Sequence, residues 1–175
     1  MLIMLVILCF SGLGTLLIVA ASKPSSFVYK RSILIRALPE EIYANVDDFH
    51  HWAGWSPWEN IDPNMVRTYG GATFGKGAKY SWSGNGRAGA GAMEVTSAQP
   101  GQTLHIVLNL EKPFRSSHQI EFQFARDGDL TEVTWSMSGP QPFISKIMGT
   151  LLNLDAVVGK DLEKGLASLK DLSES

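Results

Sequence analysis

Residues Phe143–Ser175 read FISKIMGTLLNLDAVVGKDLEKGLASLKDLSES, and this stretch decides the fold. Ile147, Leu151, Leu154, Val158, Leu162, Gly165, Leu169 and Leu172 follow one another at spacings of four and three, which places them on one face of a helix. Asn153-Leu154-Asp155 marks a break between a short helix and the main one, because Asn and Asp cap helices better than they fill them. The period turns Leu154, Val158, Leu162, Gly165 and Leu169 inward and Lys160, Glu163, Lys164 and Lys170 toward solvent. Gly165 stands out, since glycine inside a helix costs about 1 kcal/mol relative to alanine. It implies either a close backbone approach or space kept open for a ligand.

A long helix with one apolar face needs an apolar surface to lie on, and the chain upstream supplies one. Phe27 to Arg36, with Val28, Ile33 and Ile35, reads as an opening strand. Pro39 to Val46 reads as a helix, with Pro39 and the acidic Glu40 and Glu41 in its first turn, and Asp47 to Ala53 as a second short helical turn. Six β-rich runs follow: Met65 to Tyr69, Ala78 to Ser83, Gly89 to Ala98, Thr103 to Leu110, Ser117 to Ala125 and Thr131 to Ser138. Between them fall turn sequences such as Gly84-Asn85-Gly86, Gln99-Pro100-Gly101, Lys112-Pro113 and Asp127-Gly128-Asp129. The expected fold is therefore α+β: a curved antiparallel sheet of about seven strands wrapped on the C-terminal helix, with two short helices after the first strand. This is the helix-grip arrangement, and incomplete closure of sheet on helix leaves an apolar cavity.

Composition agrees with one domain. Of 175 residues 45% are hydrophobic and 10% aromatic, including 5 Trp, which is ample for a core or a cavity lining. A net charge of -2 gives no basic excess for neutralising a phosphate backbone, so nucleic acid is not an expected partner. Cys9 is the only cysteine, so the domain has no disulfide and no thiolate for catalysis or metal. Met1 to Ala21 is apolar apart from small hydroxyl residues, and about 20 such residues span a bilayer as one transmembrane helix. A signal peptide cleaved after Ala21 is the rival reading, against which no Lys or Arg precedes the apolar run. Lys23, Lys30 and Arg31 follow it, so the positive-inside rule predicts a single-pass membrane protein with its domain at the cytoplasmic face. Residues 22–26 then form a linker and residues 27–175 the domain.

Several segments carry a family resemblance. The run Phe49-His50-His51-Trp52-Ala53-Gly54-Trp55-Ser56-Pro57-Trp58-Glu59, followed by Asp62-Pro63, is similar to a segment of SRPBCC polyketide cyclase/dehydrase proteins of the START-like superfamily. So are Gly75-Lys76-Gly77-Ala78, Tyr80-Ser81-Trp82-Ser83-Gly84-Asn85, Gly89 with Gly91, Lys112-Pro113-Phe114, Trp135-Ser136-Met137-Ser138-Gly139 and Gly159-Lys160-Asp161-Leu162-Glu163-Lys164-Gly165-Leu166. The resemblance spans roughly residues 27 to 172 and implies a START-like helix-grip domain. It implies a cavity rather than a reaction, because the superfamily includes carriers, binders and cyclases.

Strand alternation nominates the cavity lining. His118, Ile120, Phe122 and Phe124 share one face of their strand, Tyr80 and Trp82 another, and Val133, Trp135 and Met137 a third. With Val107, Trp55, Trp58, Val158, Leu162 and Gly165 they make up the expected ligand site. Trp52, Trp55 and Trp58 lie in a loop that reads either as a lid or as a hydrophobic plug. His118 and Tyr80 are the candidate proton-transfer groups. No metal site is expected, since His50 and His51 are adjacent and His105 and His118 stand alone, and no cofactor motif is present. The expected function is a binder or carrier of a hydrophobic or amphipathic small molecule, such as a lipid, quinone or polyketide-like compound. A cyclase, dehydratase or hydrolase and a protein-interaction module are the alternatives.

Overall fold

The computed structural model describes residue 12 and residues 14–175. Strand β1 (Ser26–Ile35) is followed by helix α1 (Pro39–Val46), a 3-10 helix (Phe49–Gly54) and strands β2 (Val66–Gly71), β3 (Ala78–Ser83), β4 (Ala90–Gln99), β5 (Thr103–Lys112), β6 (Ser116–Asp127) and β7 (Leu130–Pro140). Helices α2 (Phe143–Leu151) and α3 (Leu154–Ser173) complete the chain. All pairs are antiparallel, in the order β1-β7-β6-β5-β4-β3-β2. The expected α+β helix-grip architecture is the observed one.

Local chemistry fixes the ends of the helices. Pro39 and the two glutamates open α1, where Glu41 Oε2 accepts from the Leu38 backbone N–H at 3.1 Å. The Asp48 carboxylate accepts from the His50 N–H and starts the 3-10 turn. Asn153 Oδ1 accepts from the Ala156 N–H and caps α3, so the break read at Asn153-Leu154-Asp155 is real.

Register sorts side chains onto two faces. The face toward α3 carries Trp135 opposite Phe122 and Arg31, Met137 opposite Ile120 and Tyr29, and Leu108 opposite Met93 and His118. Leu162, Gly165, Leu166 and Leu169 of α3 are buried against it. Val28, which alternates with Phe27 and Tyr29, falls on the convex face and is exposed. Two glycines let the helix come close. A Cβ on Gly165 would stand 2.7 Å from Trp135 Cζ3 and 2.9 Å from Pro57 Cδ, and one on Gly159 would overlap the Arg31 guanidinium. Arg31 is clamped there by Glu163 at 2.7 Å and Asp155 at 3.1 Å.

The amino-terminal expectation is corrected. Among the described residues no helix is long and apolar enough to cross a membrane, which overturns the reading as a single-pass membrane protein with a cytoplasmic-face domain. Residues 1–11 and 13 of the expected span lie outside the described residues. Residues 14–22 are helical, and the segment after them is tied to α2: Lys23 Nζ donates to the Gly149 carbonyl, and Lys146 Nζ to the Lys23 carbonyl.

The alternative of ligand space at Gly165 is also corrected, because Trp135 and Pro57 fill it. Gly165→Leu should lower stability by at least ~1–3 kcal/mol, the usual cost of overpacking, read as a lower urea midpoint with unchanged slope.

Candidate functional site

Trp135 is fully buried at the centre of the concave face. Phe122 stacks on it with centroids 4.9 Å apart, and Trp55 and Trp58 meet it edge-on at 5.4 Å. Trp52 and Trp55 are each 2% exposed, and their indole N–H groups donate to the Val46 and Asn45 carbonyls. Rings with satisfied N–H groups at this depth form a plug, not a lid. Of that trio only Trp58 is half-buried. Ile120, Phe122 and Leu162 are equally sealed, so this half of the concave face is filled core.

Tyr80 is buried beside the plug, where its hydroxyl donates to Glu59 Oε1 at 2.6 Å. Arg67 Nε donates to the other Glu59 oxygen at 2.7 Å. Burial first, and then the bonded carboxylate, push the Tyr80 hydroxyl far above the usual phenol range. It keeps its proton and spends it on Glu59, which removes Tyr80 as a proton shuttle. Glu59 and Arg67 were missed in the sequence reading. The available signal was a carboxylate inside an otherwise apolar tryptophan loop, where burial demands a partner.

The other end of the concave face is different. There the half-buried residues are Phe27 and Tyr29 on β1, Met137 on β7, His118 on β6, Leu110 on β5, Trp82 on β3, Trp58 and Val158. Register sets them in separate rows of the inner face, all toward the same end of the sheet: Tyr29 opposes Met137, while Leu110 opposes Gly91 and Gly91 opposes Trp82. Phe27 stacks on Tyr29 at 4.6 Å and reaches the His118 ring at 5.3 Å. A Cβ on Gly91 would strike the Trp82 ring, which therefore lies flat over β4. Phe27, Tyr29 and Leu110 were not singled out in the sequence, although alternation with exposed Val28 and Asn109 marks them. Val107 is a correction: it pairs with Glu94 and Gln119 and alternates with buried Ile106 and Leu108, so it faces away from the helix.

His118 Nε2 bonds Ser116 Oγ at 2.9 Å, whereas Nδ1 is buried with no hydrogen-bond partner and lies where a Cβ of Gly139 would be. Nδ1 facing a methylene is better bare than protonated, so the proton sits on Nε2 and is donated to Ser116. Burial also depresses the His118 pKa, which keeps the ring neutral. His50 and His51 bond Asp48 and the Ala44 carbonyl, and among the described residues no group of three His, Cys, Asp or Glu side chains is placed to hold a metal ion. Two surface clefts flank α3, one lined by Leu34, Arg36, Leu130, Lys170 and Glu174 and the other by Trp55, Pro57, Asn60, Lys164 and Ser168 among others; neither includes the half-buried layer.

Residues 26–174 match the family model described as polyketide cyclase / dehydrase and lipid transport. The chain belongs to this family. Among solved structures it is similar to the Aha1 dimer from Colwellia psychrerythraea, with 20% identity over 85% of this chain and 96% of that one and a TM-score of 0.60. It is also similar to protein CV1439 from Chromobacterium violaceum, with 14% identity over 87% and 99% and a TM-score of 0.59. DynU16, from the dynemicin biosynthetic locus, shares 16% identity over 85% of this chain and 47% of its own, with a TM-score of 0.59. At these identities the likeness shows the fold alone. No curated protein matches the chain.

Two substitutions probe the polar groups beneath the site. Tyr80→Phe leaves Glu59 Oε1 without its donor, and should cost ~1–3 kcal/mol in urea unfolding. Asp47 is pushed up to about 6 from 3.8, first by burial and then by the Asp48 charge. The folded chain therefore binds this proton more tightly than the unfolded chain, and stability from this group falls as pH rises from about 4 to 6. Asp47→Asn should raise stability at pH 7.5 by on the order of 1 kcal/mol after solvent screening, read as a higher melting temperature, and change it little below pH 4.

Proposed function

We propose that the half-buried layer at the open end of the concave face binds a hydrophobic or amphipathic small molecule, of lipid, quinone or polyketide type, and holds it without chemical change. One observation supports this most directly: Phe27, Tyr29, Trp82, Leu110 and Met137, all toward one end of the inner face, are only half-buried, while the same face is sealed around Trp135. Apolar surface that the protein itself does not cover gains free energy by burying an apolar ligand. Membership of a family whose description includes lipid transport agrees with a carrier.

Catalysis is the weaker reading. Tyr80 is committed to Glu59, and among the described residues His118 has no carboxylate to orient it or to stabilise its imidazolium form. A protein-interaction role is favoured by a separate feature, the exposed Phe143, Ile144, Met148 and Leu152 of α2 and the residue after it.

Native mass spectrometry of the purified full chain, together with titration of the neutral apolar dye N-phenyl-1-naphthylamine, tests the carrier reading. A copurifying apolar compound or saturable dye binding is expected. Met137→Trp should block the layer and weaken dye binding by about tenfold or more. The absence of both an apolar compound and dye binding sinks the proposal.

A further inference from the structure

The rim of this layer carries an excess of positive charge. The β3–β4 hairpin carries exposed Arg87, and the β5–β6 hairpin carries exposed Lys112 and Arg115. The two hairpins are neighbours, because Ala90 opposes Lys112 and a Cβ on Gly89 would overlap the Lys112 carbonyl. Lys23 and Lys146 stand at the same end of the sheet, where Ser26 opposes Pro140, and both direct their ammonium groups at backbone carbonyls. Among the described residues none of these five cations is in an ion pair.

Carboxylates at this end are scarce or occupied. Asp62 is buried and accepts from the Asn64 and Asn85 N–H groups, and Asp155 is held by Arg31. Glu111 alone is exposed in the two hairpins. Unneutralised cations around an apolar concavity raise the local concentration of anions.

Ser116 adds a directed contact. Its Oγ receives the His118 Nε2 proton, as the position of Nδ1 against Gly139 requires. The Ser116 hydroxyl hydrogen is then left for an acceptor, and a donor that is itself accepting a hydrogen bond is strengthened. Ser116 lies opposite Leu110, at the step from the apolar layer to Lys112 and Arg115.

We propose that the ligand is an anionic amphiphile, a carboxylate on an apolar chain, bound with its acid group at Ser116, Lys112 and Arg115 and its chain along Phe27, Met137 and Trp82. This rests on the carrier reading above and goes further by assigning the charge and orientation of the ligand.

The test is displacement of N-phenyl-1-naphthylamine from the full chain by dodecanoate, dodecanol and dodecyltrimethylammonium, all below micelle formation. Dodecanoate should compete about tenfold more tightly than the alcohol, as a charge-assisted hydrogen bond implies, and the cation should compete least. The carboxylate-to-alcohol ratio should fall toward one in Ser116→Ala, in the Lys112→Gln/Arg115→Gln double variant, and in ~0.5 M NaCl. These positions are exposed or half-buried, and an unchanged melting temperature verifies that each variant is folded. A dye that binds but is displaced equally by the three competitors overturns the anionic assignment and leaves the carrier reading standing. A carboxylate preference that survives both sets of substitutions overturns the placement of the acid group. A dye that does not bind at all removes the carrier reading and this inference together.

Discussion

The approach of α3 to the sheet at Gly165 sets the geometry of the rest. With no side chain at that position, the Trp135 ring and Pro57 come within van der Waals distance of the helix backbone, and Trp135 becomes the centre around which Phe122, Trp55 and Trp58 are arranged. Interiors are packed to crystal-like density, so a contact this tight admits little adjustment. Gly159 repeats the device six residues earlier, where Arg31 passes under the helix and is bound by Asp155 and Glu163. The helix is thereby fixed by shape at one point and by charge at another.

From this contact follows the division of the concave face. Leu162, Leu166 and Leu169 seal the part under the middle and carboxyl-terminal turns of α3. Nearer its amino terminus Val158 is only half-buried, and the sheet residues at that end, from Phe27 to Trp82, are half-buried too. The Trp-rich loop works on the sealed side. Its two buried indoles bond α1 carbonyls, and Glu59 draws in Tyr80 and Arg67, so the loop is mainly part of the foundation, with Trp58 alone reaching the half-buried layer.

The fold was legible because its signals are periodic. Spacings of four and three in Phe143–Ser175 and turn sequences between β-rich runs survive any detail of packing. The site was legible in part. Alternation placed His118, Ile120, Phe122, Trp135 and Met137 on the inner face correctly, but alternation alone cannot separate a sealed position such as Trp135 from a half-open one such as Met137. That distinction depends on how far α3 reaches along the sheet. Val107 was misplaced by one residue, which reverses its face. Glu59 could not be paired with Tyr80 from sequence, because its partner is 21 residues away on another element. The apolar leader has a span-like composition, yet among the described residues no helix is long and apolar enough to cross a membrane.

The proposal of binding without reaction rests on how His118 is held at the open end. A general base must offer a lone pair to its substrate and be able to carry the proton it takes. His118 turns its lone pair toward Gly139 and its proton toward Ser116, and burial disfavours the protonated ring. Reversing the tautomer would turn a buried N–H against the Gly139 methylene with no acceptor. What the pair presents outward is therefore a serine hydroxyl polarised by a neutral imidazole, beside basic side chains and an apolar wall. Such a group can donate to an acceptor oxygen, which is what the proposed ligand would offer it.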